Sequence, residues 1–503
     1  MSLMDRLCPL LAGIINGMSD YRRLVKNPAF RRLWSAQFIS SMGDWLIVGI
    51  LIPVVLQLSG GSSMAVAGIM IAKIVPSLLF SAVARIVAQR FNSRVVMLCS
   101  DLIRLVLVVV LLLSNSLPLI YLVLFLMESA SQFYWPARNA LISDIAEAED
   151  RIAAENAMVV GQRVAMVVGL ATAATVVRVF EQVVLWMIQH DMTNILQVLF
   201  DVTPLFVQSG IGYAVNLWAF VASALLLLTL RGRGTTDGSD DRETSSFHTT
   251  RKILGRAIGK DVRESLRFLR TRFELRTLLI ALSVAIVGGG AVLPIGLTYI
   301  ASLKGSIPLL DSIAWVSALT ASRQIFLLTL VGIGLGIGAA LVPCLEKYLG
   351  FRVTFPLFMA IFAAGMVGFA FNEQYFVAGT YAVAAGICVA IVMLTGFNYI
   401  VQSVCEEHRA LILAAAESVM RISMIASLVI MTPISDLISG HVRRGLSAVG
   451  VEELLYLPLT GPRTAIIISA IIVGLAALYS FKTLYWNRRN CSEAKSAEED
   501  PQK

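Results

Sequence analysis

The sequence predicts an all-α membrane protein, with twelve transmembrane helices arranged as two six-helix halves. Three observations carry this. Apolar residues fill 57% of the 503 positions and charged residues only 15%, against roughly 45–50% and about 25% in soluble globular chains. Separate apolar runs reach the length of about 20 residues that a helix needs to cross a hydrocarbon core. One long polar and basic stretch divides these runs six and six.

In the first half the runs fall at 33–57, 64–84, 95–115, 117–139, 156–180 and 209–230. In the second they fall at 277–301, 325–345, 353–371, 375–403, 411–437 and 464–482. They read as helices because a backbone in lipid must satisfy its own hydrogen bonds. The alternating short segments of an outer-membrane barrel do not occur. The expected organisation is an N-terminal segment (1–32), a six-helix half (33–230), a linker (231–276), a second half (277–485) and a tail (486–503). The linker opens as RGRGTTDGSDDRETSS, a composition that reads as flexible chain. It continues as RKILGRAIGKDVRESLRFLR, where Ile253, Leu254, Ile258, Val262, Leu266 and Leu269 recur at helical spacing among bases. That pattern predicts a basic amphipathic helix on the membrane surface, with calmodulin-type or nucleic-acid binding as the rival reading. Two stretches on the opposite side, 182–209 and 440–462, read as lid-like insertions.

The net charge of +8 comes from 41 Lys and Arg against 33 Asp and Glu. Thirty-one of those bases lie before the first span, in alternate loops, in the linker and in the tail. By the positive-inside rule both termini and the linker are cytoplasmic, so the expected setting is a plasma (inner) membrane crossed many times. The basic balance therefore implies lipid and not a nucleic-acid partner. The six cysteines form no CxxC or paired spacing, and the chain has no GxSxG, HExxH or Walker A motif. Neither an enzyme nor a metal or other cofactor is expected. Nor does the N-terminus carry a cleavable-signal pattern.

Local motifs then point to a family. NPAFRRLWSAQFISSMGDWL (27–46), with its Gly43–Asp44 pair, resembles the opening of the prokaryotic exporter branch of the major facilitator superfamily. FYWPARNALISDIAEAEDRIAAENAM (133–158) resembles that branch's Pro-Ala signature at the end of span 4 and the Asn-Ala pair after it. The branch includes enterobactin-type exporters and drug efflux pumps. The resemblance implies a secondary transporter acting as a monomer on a small-molecule substrate, with protons as the coupling partner. It also implies a cytoplasmic gate between spans 2 and 3, where a Gly-x-x-x-Asp-Arg-x-x-Arg-Arg signature forms a charge network. In this chain Arg85 stands at the Gly and Gln89 at the Asp, while Arg90 and Arg94 are retained, followed by Asp101 and Arg104. Losing the carboxylate at Gln89 removes one anionic partner, which Asp101 replaces in part by pairing with Arg94 or Arg104. Glu346, Lys347 and Arg352 echo the same signature in the second half. The span 5 antiporter motif keeps Gly169 but lacks its Pro.

Charges within spans mark function or partners, because burying them in lipid is costly. Asp44, Lys73 and Glu128 fall near the middle of spans 1, 2 and 4. Similar depth on adjacent helices predicts an Asp44–Lys73 pair and leaves Glu128 unpaired. Glu417 and Arg421 are one turn apart in span 11 and are expected to form a buried pair. In the family, spans 1, 4, 7 and 10 line the cavity, which implies a cavity position for Asp44 and Glu128. An unpaired carboxyl there supplies the proton exchange that a coupled transporter needs; a structural Glu bonded to a carbonyl is the plainer alternative. Thr395, Asn398, Tyr399 and Gln402 of span 10 are substrate-contact candidates. Gly288–Gly290 permit a bend in span 7, and VGIGLGIGA (331–339) reads as close helix packing. The leading expectation is a proton-coupled exporter of a small amphipathic molecule. A lysophospholipid or other lipid transporter and a non-transporting relic of the fold are its rivals.

Overall fold

The computed structural model describes residues 23–112, 116–146, 150–190, 204–230, 273–301, 323–404, 406–449 and 461–486, together with Ser114 and Leu303. They form α1 (Pro28–Leu58), α2 (Ser63–Arg90), α3 (Ser93–Leu112), α4 (Leu117–Ile145), α5 (Arg151–Gln189) and α6 (Pro204–Thr229). The second series is α7 (Phe273–Gly289), α8 (Val292–Ala301), α9 (Arg323–Leu349), α10 (Phe351–Phe371), α11 (Tyr375–Ser403), α12 (Glu406–Val449) and α13 (Gly461–Phe481). Among the described residues, twelve stretches are long and apolar enough to cross a membrane, with α7 and α8 together making one. The chain is an all-α, multi-pass membrane protein. The expected linker helix lies outside the described residues, as do the tail beyond Trp486 and parts of both lid-like stretches.

Two compact units divide the chain. The first takes residues up to Gly61, Gly68–Thr235 and Pro308–Thr329. The second takes Ser62–Ala67, Thr236–Ile307 and Leu330 onward.

In the first unit, the NPAF motif is a helix start. The Asn27 side chain accepts from the backbone N–H groups of Ala29 and Phe30 at 3.0 and 3.4 Å, with Pro28 in the first turn. These supply partners for donors that the helix itself leaves open. Asn27 Nδ2 also donates to the Ile145 carbonyl, tying the start of α1 to the end of α4. Beyond this point α1 becomes the most buried span. It packs closely on α5 because Gly169 has no side chain: a Cβ there would collide with the Met42 carbonyl. The residue that survives from the antiporter motif thus serves helix contact.

The second unit contains the bend expected at the triple glycine. The helix stops at Gly289 and resumes at Val292. The Ala291 N–H freed by this break donates to Ser427 Oγ of α12 at 2.9 Å, so that donor keeps a partner. Gly334 and Gly338 of α9 lie against the Val383 and Ile387 carbonyls of α11, which is the close packing expected of VGIGLGIGA. The first turn of α2, which clusters with this unit, is capped by Asp436 of α12. Its carboxylate accepts from the Ser62 hydroxyl at 2.6 Å and from the N–H groups of Ser63 and Met64 at 3.0 and 3.1 Å.

Candidate functional site

A cluster of charged side chains, two of them buried and three partly buried, lies inside the first unit. Arg104 lies eleven residues into α3, which at about 1.5 Å per residue puts it roughly 16 Å along the helix. Its Nη1 donates to both oxygens of Asp44 on α1, at 3.0 and 3.2 Å. Its Nη2 donates to Asp101, one turn back on α3. The Tyr134 and Phe220 rings cover the guanidinium, 5.1 and 4.9 Å from its carbon. Such faces attract a cation without hydrating it. Arg104 is 2% exposed, and a buried charge in this setting is tolerable only when paired and hydrogen-bonded.

Asp101 is fully enclosed. Besides Arg104 it accepts from Ser40 Oγ of α1 at 3.1 Å and from Ser223 Oγ of α6 at 2.7 Å. Three helices therefore converge on this one carboxylate. Asp44 differs, because its side chain keeps 21% exposure and lines a small cavity with Ser40, Ser41, Arg104, Ser131, Tyr134 and Trp135.

Lys73 of α2 and Glu128 of α4 make the second ion pair, at 2.8 Å. Glu128 Oε1 also accepts from Gln132 Nε2 at 3.0 Å, so both of its oxygens are engaged. This corrects the pairing read from depth. Asp44 pairs with Arg104 and not with Lys73, and Glu128 is not unpaired. Depth along a span does not say which face of the helix a side chain takes, and neighbours in sequence need not face each other. Together the cluster holds three acids, Asp44, Asp101 and Glu128, against two bases, Lys73 and Arg104.

The remaining sequence candidates fall elsewhere. Arg94 does not meet Asp101. Its Nε and Nη2 donate to the Leu227 and Leu228 carbonyls in the last turn of α6, where Arg32 also reaches the Thr229 carbonyl at 2.8 Å. Bases there satisfy open carbonyls and the negative end of the helix dipole. Asp101 and Arg104 belong to the buried cluster and not to the end of α2 where Gln89 and Arg90 are exposed. Glu346 accepts from Asn398 Nδ2 at 3.2 Å, while Lys347 is exposed and Arg352 partly so. Glu417 and Arg421 do pair, at 3.4 Å, but with 51% and 35% of their side chains exposed the pair is not buried. Tyr399 stacks on Phe351 with ring centroids 4.0 Å apart, and Gln402 is exposed. Thr395 is buried and its hydroxyl has no partner among the described residues. Of the four span 10 candidates, two are thus engaged in packing or side-chain bonding. Sequence reading missed Ser40, Ser223 and Tyr134, although Ser40 and Asp44 share one face of α1 at i,i+4.

Comparison with known proteins agrees with this architecture. The sequence profile described as the Major Facilitator Superfamily matches residues 33–326. No curated protein matches in sequence. Among solved structures, a bacterial homologue of the human lysosomal transporter Spinster, inward-facing and unoccupied, superposes with a TM-score of 0.65. It shares 15% identity, over 91% of this chain and 96% of that one. The nucleoside transporter NupG superposes with a TM-score of 0.60 at 11% identity, over 91% of this chain and 99% of that one. At such identities the likeness is one of fold. Because the family profile covers more than half of the sequence, the chain belongs to the major facilitator superfamily, a family of membrane transporters and not of enzymes.

Proposed function

We propose that this transporter couples export of a small amphipathic molecule to proton entry by alternating access, with Asp44 as the proton-carrying group. One observation carries the reading: the buried cluster has one carboxylate more than it has bases, and Asp44 is the acid that lines the cavity. Asp101 is enclosed and bonded on both oxygens, and Glu128 is bonded on both of its own. Only Asp44 depends on a single partner, Arg104.

Ionised Asp44 holds α1 to α3 through that guanidinium. When a proton binds, the charge attraction is lost, while Arg104 stays anchored to Asp101. The α1–α3 tie then loosens and the base does not swing free. A proton thereby changes the relative stability of two arrangements of the same helices, which is the requirement for coupling. A substrate that competes for Asp44 in one arrangement releases the proton.

The export direction rests on the resemblance of the first span and of the end of span 4 to the exporter branch. Placement in the plasma (inner) membrane with cytoplasmic termini rests on the charge count. Charged side chains held in pairs within the spans support transport over the reading as a relic of the fold. The test is a screen of amphipathic compounds for uptake into inside-out vesicles under an imposed pH gradient. Uptake that rises with the gradient and vanishes in Asp44→Asn supports the proposal. Uptake by Asp44→Asn equal to wild type removes Asp44 as the coupling group.

A further inference from the structure

The cavity beside Asp44 has a second unexplained group. Tyr134 is 4% exposed, and its hydroxyl has no hydrogen-bond partner among the described residues. Its ring is already accounted for by Arg104, but its oxygen is not. A buried hydroxyl left unmade carries the full cost of its lost hydration. The cavity it lines measures about 10 Å³, which is the volume needed by one water molecule. Asp44, Tyr134, Ser41 and Ser131 are among its lining residues, so one carboxylate and three hydroxyls belong to the residues around it. Ser131 Oγ donates to the Met127 carbonyl at 3.1 Å, which leaves its lone pairs to accept. Two to four polar partners are what a buried water requires.

We infer that this cavity is a binding site for a single water, which bridges Tyr134 and Asp44 and delivers the proton that Asp44 carries. The inference rests on Asp44 as the proton carrier and names the route to it. A hydronium ion arriving in the cavity loses one O–H bond as an O–H bond forms on Asp44; neutral water and a neutral carboxyl remain. The Tyr134 hydroxyl holds the water oxygen in place and itself gains and loses no proton. Asp44 has charged neighbours on two other helices and on a third beyond them. Arg104 and Asp101 lie on α3, Lys73 on α2 and Glu128 on α4, while α6 contributes the neutral Ser223 and Phe220.

Infrared difference spectra of the reconstituted full chain, taken between high and low pH in ordinary and ¹⁸O-labelled water, test this without any substrate. Wild type is expected to show a water O–H band that shifts with ¹⁸O and a protonated carboxyl band. Tyr134→Phe should lose the water band, keep the carboxyl band and protonate about tenfold more slowly after a pH jump. Ser131→Ala, a milder change in the same wall, should shift the water band without abolishing it. A water band unchanged in both variants, or absent from wild type, overturns the inference. Loss of the band on adding sodium chloride at constant pH also overturns it, by making the cavity a cation site. A carboxyl band that survives Asp44→Asn instead defeats the reading of Asp44 as proton carrier, and is distinguished from those results by the band it affects.

Discussion

Lys73 Nζ lies 2.8 Å from Glu128 Oε2, joining α2 to α4 inside the first unit. Each partner is about one-fifth exposed, so water screens the pair only in part. Removing one partner leaves the other charge facing a low-dielectric interior.

The two single variants Lys73→Met and Glu128→Leu should therefore each lose about 1.5–3 kcal/mol, the range for a hydrogen bond to a charged group. The double variant should recover much of that loss, because no unpaired charge is left. Thermal unfolding of the detergent-purified chain measures the cycle. Losses that simply add would mean that the pair is not energetically coupled.

Asp101→Asn is expected to be the most damaging conservative change in the cluster. Its carboxylate is fully enclosed and receives Arg104, Ser40 and Ser223. Breaking a buried pair of this kind costs about 3–5 kcal/mol. Asp44→Asn should cost less, since Arg104 keeps Asp101 and Asp44 retains some exposure. The two unfolding temperatures, compared side by side, should rank in that order; the reverse order would shift the structural anchor from Asp101 to Asp44.

The span plan was legible because lipid imposes it: apolar runs of sufficient length can only be helices. The break after Gly289 and the packing role of Gly334 and Gly338 were also legible, since a missing Cβ has few uses within a span. The pairing of charges was not. Asp44, Lys73 and Glu128 have similar depth, and depth alone allows several pairings. Arg104 was assigned to the gate because it follows Arg94 in a motif, although an offset of ten residues carries it about 15 Å further along the helix. The Asp101-x-x-Arg104 spacing, one turn apart deep in a span, was the signal that could have placed it. Tyr134 gave none, because nothing in a sequence marks a hydroxyl that will be left without a partner.

Orientation follows from charge and is open to labelling. Tyr348 is 70% exposed at the end of α9, beside Lys347. A Tyr348→Cys probe, in a chain otherwise free of cysteine, should react with a membrane-impermeant thiol reagent only from the cytoplasmic side. Reaction from outside alone would invert the topology and the positive-inside argument with it.

The central claim is that one acid of the cluster carries the proton and that this acid is Asp44. The most direct measurement is pH-gradient-driven uptake of a transported compound into inside-out vesicles, set beside exchange of the same compound at equal pH on both sides. Asp44→Asn should abolish the driven uptake and retain exchange, because a neutral amide mimics the protonated acid and cannot release a proton. Glu128→Gln should retain driven uptake at a reduced level, as its amide oxygen can still accept from Lys73. Abolition by Glu128→Gln with driven uptake intact in Asp44→Asn would contradict the account and return the coupling role to α4.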